Sequence, residues 1–288
     1  MKYIYTVITL FFATTIMAQE PIEVRKGNMV INKSSTAAYM VTLFETDVAF
    51  VQREWRSQMK DVSRKLTTKK IWFIDNARIM SISQDTIDIY SDIESIKKTG
   101  NVELKVAFNV GGTFISVEDE KRDAAVVKYI YDFAFRTSKK IVNDQVLAAE
   151  KALEKSNKQQ ELLERQEEQL NRTIEKNKDK IEKAEKDLVQ NGKDLDKVNS
   201  EIEVKRSIAN TSTDEKDAKA LQKVLSKQST LERNTDKLNN IIRSSKKKID
   251  DGEYELTKNV EDQEENKVKV EEFTNSLDSA RAKLMNVK

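Results

Sequence analysis

Between Val142 and Ile202, apolar residues return every three or four positions without a slip. One seam position is taken by Val142, Ala149, Ser156, Leu163, Leu170, Asn177, Ala184, Asn191 and Val198. The other is taken by Val146, Leu153, Gln160, Glu167, Ile174, Ile181, Leu188, Leu195 and Ile202, and thirteen of the eighteen are apolar. A 3.5-residue period sustained this long predicts a seam buried against another helix. The intervening Lys, Glu, Asp, Gln and Asn add helix propensity and i,i+4 pairs such as Glu182/Lys186. A second run repeats the pattern from Leu221 to Val287. Between the runs, Asn210 suits a left-handed cap, and Ser212 with Glu215 matches a capping box. A short loop between two long helices makes them antiparallel neighbours. At 1.5 Å per residue the seam from Val142 to Ile202 predicts an arm about 90 Å long.

The polar seam positions argue a register. Setting Asn191 against Gln228, Gln160 against Asn259 and Ser156 against Gln263 places polar layers opposite polar layers, which avoids unpaired buried amides. The rival register lies one heptad along. The preferred one leaves mixed layers at Asn177/Ile242, Leu153/Asn266 and Glu167/Gly252, and predicts a flexible point near Gly252.

Upstream the period changes. Ile22 to Arg25 and Ala38 to Phe44 read as strands, and Asp47 to Val62 as an amphipathic helix with Val48, Val51, Trp55, Met59 and Val62 on one face. Ile71 to Ile74, Thr86 to Tyr90 and Val102 to Phe108 follow as strands; the last two alternate as an antiparallel sheet with one wet face requires. Gly111-Gly112 ends the fifth strand or bulges it, and Thr113 to Val117 forms a sixth, edge strand. From Asp123 a helix presents Val126, Tyr129, Ile130 and Phe133 to the sheet and runs on into the arm, with a phase change or kink at Arg136–Lys140. The fold class is α+β: a small, mainly antiparallel sheet of four to six strands with one to two helices, then a long antiparallel two-helix coiled-coil hairpin. The domains are residues 20–138 and 139–288, with the hairpin turn near 208–213.

Composition narrows the chemistry. The chain has no Cys and no His, which removes thiolate and imidazole catalysis, zinc fingers and a diacylglyceryl anchor. Glu20 to Ser138 holds 18 basic and 17 acidic residues, so the sheet domain carries no basic excess for nucleic acid. The clusters Lys246-Lys-Lys and Arg64-Lys65 with Lys69-Lys70 read as solvated surface. Asp75-Asn76, Asp85, Asp88 and Asp92 are the acidic grouping of the domain. Paired carboxylates can act as acid and base or hold a hard cation. Here Asp88 alternates with core residues and faces water, and Asp75-Asn76 and Asp85 fit turns. Gly111-Gly112 lacks the context of a phosphate loop. Trp55 and Trp72 lie on core stripes, and Asn191 and Gln228 fix register. No catalytic, cofactor-binding or metal residue is assigned.

The first eighteen residues have the form of a signal peptide: Lys2, an apolar run from Tyr3 to Met17, and Ile16-Met-Ala before Gln19. The run is shorter than the ~20 residues of a bilayer span. The expected location is therefore periplasmic or secreted, with no span after cleavage.

Met29-Val-Ile, Ala38-Tyr39-Met-Val, Asp75-Asn76-Ala77-Arg-Ile79, Ile82-Ser83, Thr86 to Tyr90 and Gly111 to Ser116 together resemble a set of uncharacterised exported proteins of Bacteroidetes-type bacteria. The resemblance implies a small α+β domain followed by a long coiled coil, and export; it implies no activity. The expected function is that of an exported, non-catalytic interaction or scaffold protein of the cell envelope, its arm a spacer or partner-binding element. A periplasmic holdase-type chaperone and a small-molecule-binding module on the sheet face are the alternatives. The expected partner is an envelope protein, with homo-oligomerisation open, no nucleic acid and no cofactor.

Overall fold

The computed structural model describes residues 21–211 and 213–287. The signal-peptide segment 1–18 and the capping residue Ser212 lie outside the described residues. Seven strands form one antiparallel sheet: β1 (Val24–Ile31), β2 (Ser34–Leu43), β3 (Lys65–Thr68), β4 (Trp72–Ala77), β5 (Ile87–Ser95), β6 (Val102–Val110) and β7 (Thr113–Phe114). Their order is β1-β2-β6-β5-β4-β3, with β7 added beside β6 where β2 has left it. The helices are α1 (Val48–Val62), α2 (Glu120–Thr211) and α3 (Glu215–Asn286). The fold is α+β, and α2 and α3 pack against each other as a hairpin.

The chain divides into two compact units. The first takes the residues up to Leu153 and those from Phe273 on; the second is Glu154–Glu272. In the first, strand alternation places Val41, Leu43, Ile74, Ile87, Ile89, Val102, Leu104 and Phe108 on one face, all fully buried. The i, i+4, i+8 stripe of α1, Val51, Trp55 and Met59, covers that face. Asp47 caps α1 by accepting the Phe50 N–H at 2.8 Å. Trp55 stacks edge-on against Phe133 with ring centroids 4.9 Å apart, and its indole N–H donates to Ser91 Oγ at 3.0 Å.

Three local expectations change. β1 continues past Arg25 to Ile31, and β3 is a strand that the charged segment around Leu66 does not announce. As expected, Gly111-Gly112 ends the strand: β6 stops at Val110, and the two glycines, with positive φ of 59° and 90°, close a two-residue hairpin to β7. Helix α2 starts at Glu120 and shows no interruption at Arg136–Lys140. The buried stripe continues there through Thr137 and Ser138, 4% and 3% exposed. The apolar pattern lapses while the buried face does not.

The C-terminal end of α3 belongs to the same unit. Leu284 and Val287 join the sheet-domain core, and Val146, Ala149, Leu277 and Ala280 form an adjoining cluster. Glu45, in the loop before α1, accepts from Lys283 Nζ at 2.7 Å and from Gln145 Nε2 at 3.0 Å. One loop residue thus ties down both helices.

In the second unit the helices lie in the rival register, one heptad from the expected one. Asn191 donates to Thr235 Oγ1 at 2.7 Å rather than meeting Gln228, and Asn266 rather than Asn259 donates to Gln160, at 3.1 Å. Ile174 lies over Gly252, where an added Cβ would stand 3.0 Å from Ile174 Cγ1. Gly252 is buried within a continuous helix and serves as a hole for a large side chain, not as a flexible point. The reason is visible in the hydrogen bonds. Asn191 also donates to the Leu231 carbonyl at 2.8 Å, Asn259 to that of Leu163 at 3.1 Å, and Asn266 to that of Ser156 at 2.9 Å. A helix carbonyl has a second lone pair, so a buried amide facing it needs no polar side chain opposite. Asn210 is helical, not left-handed, and Asp214 accepts from the Lys216 N–H at 2.9 Å where α3 begins.

Candidate functional site

The sheet has a second face, turned away from α1. Strand alternation brings Asp88, Tyr90, Asp92 and Glu94 of β5 to it, beside Glu103, Lys105 and Ala107 of β6 and Phe73 and Asp75 of β4. In register, Phe73, Tyr90 and Ala107 form one cross-strand row. The small side chain of Ala107 lets Phe114 of β7 close the row. Ring centroids are 4.9 Å apart for Phe73–Tyr90 and 5.8 Å for Tyr90–Phe114, with planes tilted by 40° and 49°. All three rings are half-buried. Met29, Ile31, Ala38 and Ala107 make a small buried cluster beside them.

Charge surrounds this row unevenly. Lys65 bonds Asp75 at 2.8 Å, Lys105 bonds both Glu94 and Glu103, and Arg25 bonds Glu103 at 3.0 Å. Asp88 and Asp92 flank Tyr90 and form no ion pair among the described residues. Burial raises the Asp92 pKa, helped by the charge of Glu94 and only partly offset by Lys105 and Lys70. The Tyr90 hydroxyl is also pushed up, by burial and then by Asp88 and Asp75. Burial is the larger cause of both shifts, and neighbouring carboxylates add to each.

The residues singled out from the sequence are placed as follows. Asp75-Asn76 forms a β-bulge between β4 and β5, with Asn76 at φ 51°. Asp88 accepts the Asn76 N–H at 3.0 Å and holds that bulge. The Asp85 N–H donates to Ser83 Oγ at 3.1 Å in a surface turn. Trp55 and Trp72 are in the core, 0% and 5% exposed. Gln228 donates to Asn199 rather than to Asn191. No group of three His, Cys, Asp or Glu side chains is placed to hold a metal ion among the described residues.

Two further clusters emerge only in three dimensions. Tyr39 donates to Asp123 Oδ1 at 2.9 Å and Lys26 to Oδ2 at 2.6 Å, joining β1 and β2 to the first turn of α2. Burial raises the Tyr39 pKa, reinforced by its bond to Asp123, so the phenol stays neutral. In the second unit, Asn266, Gln160, Gln263 and Asn259 form a continuous amide ladder, and Gln263 also reaches Glu167 at 2.7 Å. A shallow groove of about 490 Å³ beside it is lined by residues that include Gln169, Thr173 and Lys258. Asn177, 3% exposed, donates to the Thr173 carbonyl, while its Oδ1 has no partner among the described residues. Both clusters join positions far apart in sequence. In the aromatic row only Tyr90 had a local signal, lying between two aspartates on an alternating strand; its partners Phe73 and Phe114 come from other strands.

No protein-family model and no curated protein sequence matches this chain.

Proposed function

We propose that this chain is an exported, non-catalytic interaction protein of the cell envelope, in which the helical hairpin serves as a spacer or partner-binding arm. The observation that carries this reading is the way the second unit is built. Amide-to-carbonyl bonds align its two helices in one register. Its outer charges pair largely within their own helix, as in Glu154/Lys158 and Glu168/Arg172. Such an arm is defined in geometry and balanced in charge, as a spacer requires. Export is supported by Lys2, the run from Tyr3 to Met17 and the Ile16-Met-Ala site. No helix among the described residues is long and apolar enough to cross a membrane.

Photo-crosslinking side chains placed at Val189 and Tyr254, 62% and 70% exposed, test the reading in the full-length chain. A defined envelope protein captured from these positions is the expected result. Capture only from sheet-domain positions contradicts the arm's role. Protease accessibility in intact and osmotically shocked cells tests export; a chain retained in the cytoplasm contradicts it.

A holdase-type chaperone is the second reading, favoured by Val204 and Ile208, 58% and 40% exposed near the end of α2. Holdases of this build cradle clients by oligomerising, so a strictly monomeric mass in solution rejects it.

A further inference from the structure

We propose that the aromatic row on the open face of the sheet, Phe73, Tyr90 and Phe114 flanked by Asp88 and Asp92, is a docking site for a lysine or arginine side chain of a protein partner. The inference rests on the interaction reading above and names the chemistry of the surface involved.

Three observations select a cation. The first is charge. Three basic side chains on this face are already bonded to carboxylates, Lys65 to Asp75, Lys105 to Glu94 and Glu103, and Arg25 to Glu103, and the charges of Lys105 and Lys70 offset the burial of Asp92 only in part. Asp88 and Asp92 are left without an ion-pair partner among the described residues, on either side of one tyrosine ring. The second is the cost already present at the site. Asp92 is partly desolvated beside Glu94, and its raised pKa shows that the folded chain disfavours its charge. An incoming ammonium or guanidinium offsets that cost through its charge. The third is ring geometry. Neighbouring rings are tilted by 40° and 49°, so they offer no common plane on which a sugar or a nucleobase lies flat. They do offer faces and edges along which an alkyl stem packs while its charged head meets the π-cloud and a carboxylate. Ala107 contributes here too, because its small side chain leaves room for Phe114 to lean into the row.

The test uses the full chain and a fluorescent peptide of alternating lysine and glycine. Its glutamate counterpart and a chitin trisaccharide serve as comparisons. The lysine peptide is expected to bind saturably, and the other two are not. Asp92→Asn and Tyr90→Leu are each expected to weaken binding at least tenfold, and Tyr90→Phe less than twofold. Asp196→Asn, which removes the same charge from the hairpin, is expected to leave binding unchanged. Circular dichroism of each variant establishes that it is folded, and Asp92→Asn keeps a side-chain oxygen able to accept the Ile93 N–H. Equal weakening by Asp92→Asn and Asp196→Asn, no binding of the lysine peptide, or preferential binding of the trisaccharide overturns the inference. An envelope protein crosslinked equally well by the wild type and the Asp92→Asn variant contradicts this site and leaves the interaction reading intact. If no position on the wild-type chain crosslinks a defined partner, the interaction reading fails instead.

Discussion

The two compact units solve the problem of a unique fold in different ways. The sheet domain relies on large side chains removed entirely from water: Trp55, Phe108, Leu43, Met59 and Ile74 are all 0% exposed. Strand alternation decides which face each occupies, and a one-residue slip would turn a whole strand inside out. Among the described residues, the hairpin segment Glu154–Glu272 buries smaller apolar clusters, such as Val198, Ile202 and Val224. Ser156, Asn177, Asn191, Ser245, Asn259, Gln263 and Asn266 are buried in or beside its seam at 8% exposure or less. A heptad seam tolerates a seven-residue slide with its apolar stripe intact, so burial alone does not choose the register. The choice falls to fitted sizes, Ile174 against Gly252, and to amides that reach the facing backbone. A slide is also opposed at the other end of α3, where Val287 is buried and Lys283 bonds Glu45. Where burial is complete, volume sets stability; where it is partial, hydrogen bonds and holes set alignment.

Substitutions can sharpen this contrast. The largest effect is expected from Trp55→Ala, which empties the centre of the sheet domain and leaves Ser91 without its donor. A loss of about 3–5 kcal/mol is expected by denaturant unfolding. Protection of the Glu154–Glu272 amides against hydrogen exchange should change much less than that of the sheet. Next come Gly252→Val and Asn266→Leu. The first forces a branched side chain into the space of Ile174 and should cost about 1–3 kcal/mol. The second strips Gln160 and the Ser156 carbonyl of a donor and should cost about 1–3 kcal/mol. For both, faster exchange confined to the hairpin is the expected signature. Gly192→Ala should stabilise by about 1 kcal/mol, because Gly192 is exposed and an added Cβ meets nothing within 4 Å. Opposite signs at two glycines of one hairpin would separate a hole from an ordinary surface position.

The smallest effects are in pH dependence. Burial opposes the charge of Glu45, but hydrogen bonds from Lys283 and Gln145 prevail and its pKa is lowered. A depressed folded value stabilises above the unfolded pKa, and the benefit is lost as pH falls through the folded one. Glu45→Gln should therefore lower the melting temperature at pH 7 and flatten the loss on acidification. Asp92 has the opposite sign. Its raised value makes the folded state bind a proton more tightly, so stability declines as pH rises through the folded pKa. Asp92→Asn should raise the melting temperature slightly at pH 7 and leave it unchanged well below the carboxylate range.

Strand alternation and heptad repeats are local patterns, and the elements built on them were legible in the sequence. The α1 stripe, the alternation of β5 and β6, and both long helices are of this kind. β3 was hidden because Leu66 stands alone among charged and polar residues, and its pairing with β4 supplies what its own pattern lacks. The register misled for a physical reason. Matching polar layers to one another assumes that a buried amide needs a side chain opposite, whereas Asn191, Asn259 and Asn266 use main-chain oxygens. The size pairing of Ile174 with Gly252 carried the correct signal. On the open face, Asp88 was legible as water-facing, but the meeting of Tyr90 with Phe73 and Phe114 depends on strand order and on the hairpin at Gly111-Gly112. The Tyr39–Asp123–Lys26 cluster depends on β1 and β2 meeting the start of α2, which no local pattern encodes.

The alignment of the two helices is most directly tested by disulfide trapping, which this chain allows because it has no cysteine of its own. Two double variants suffice: Ile174→Cys with Gly252→Cys, and Ile174→Cys with Ser245→Cys, which lies one heptad away. The account predicts rapid, near-complete intramolecular oxidation of the first pair under mild oxidant and little of the second. Preferential oxidation of the second pair, or disulfides only between separate chains, would contradict it.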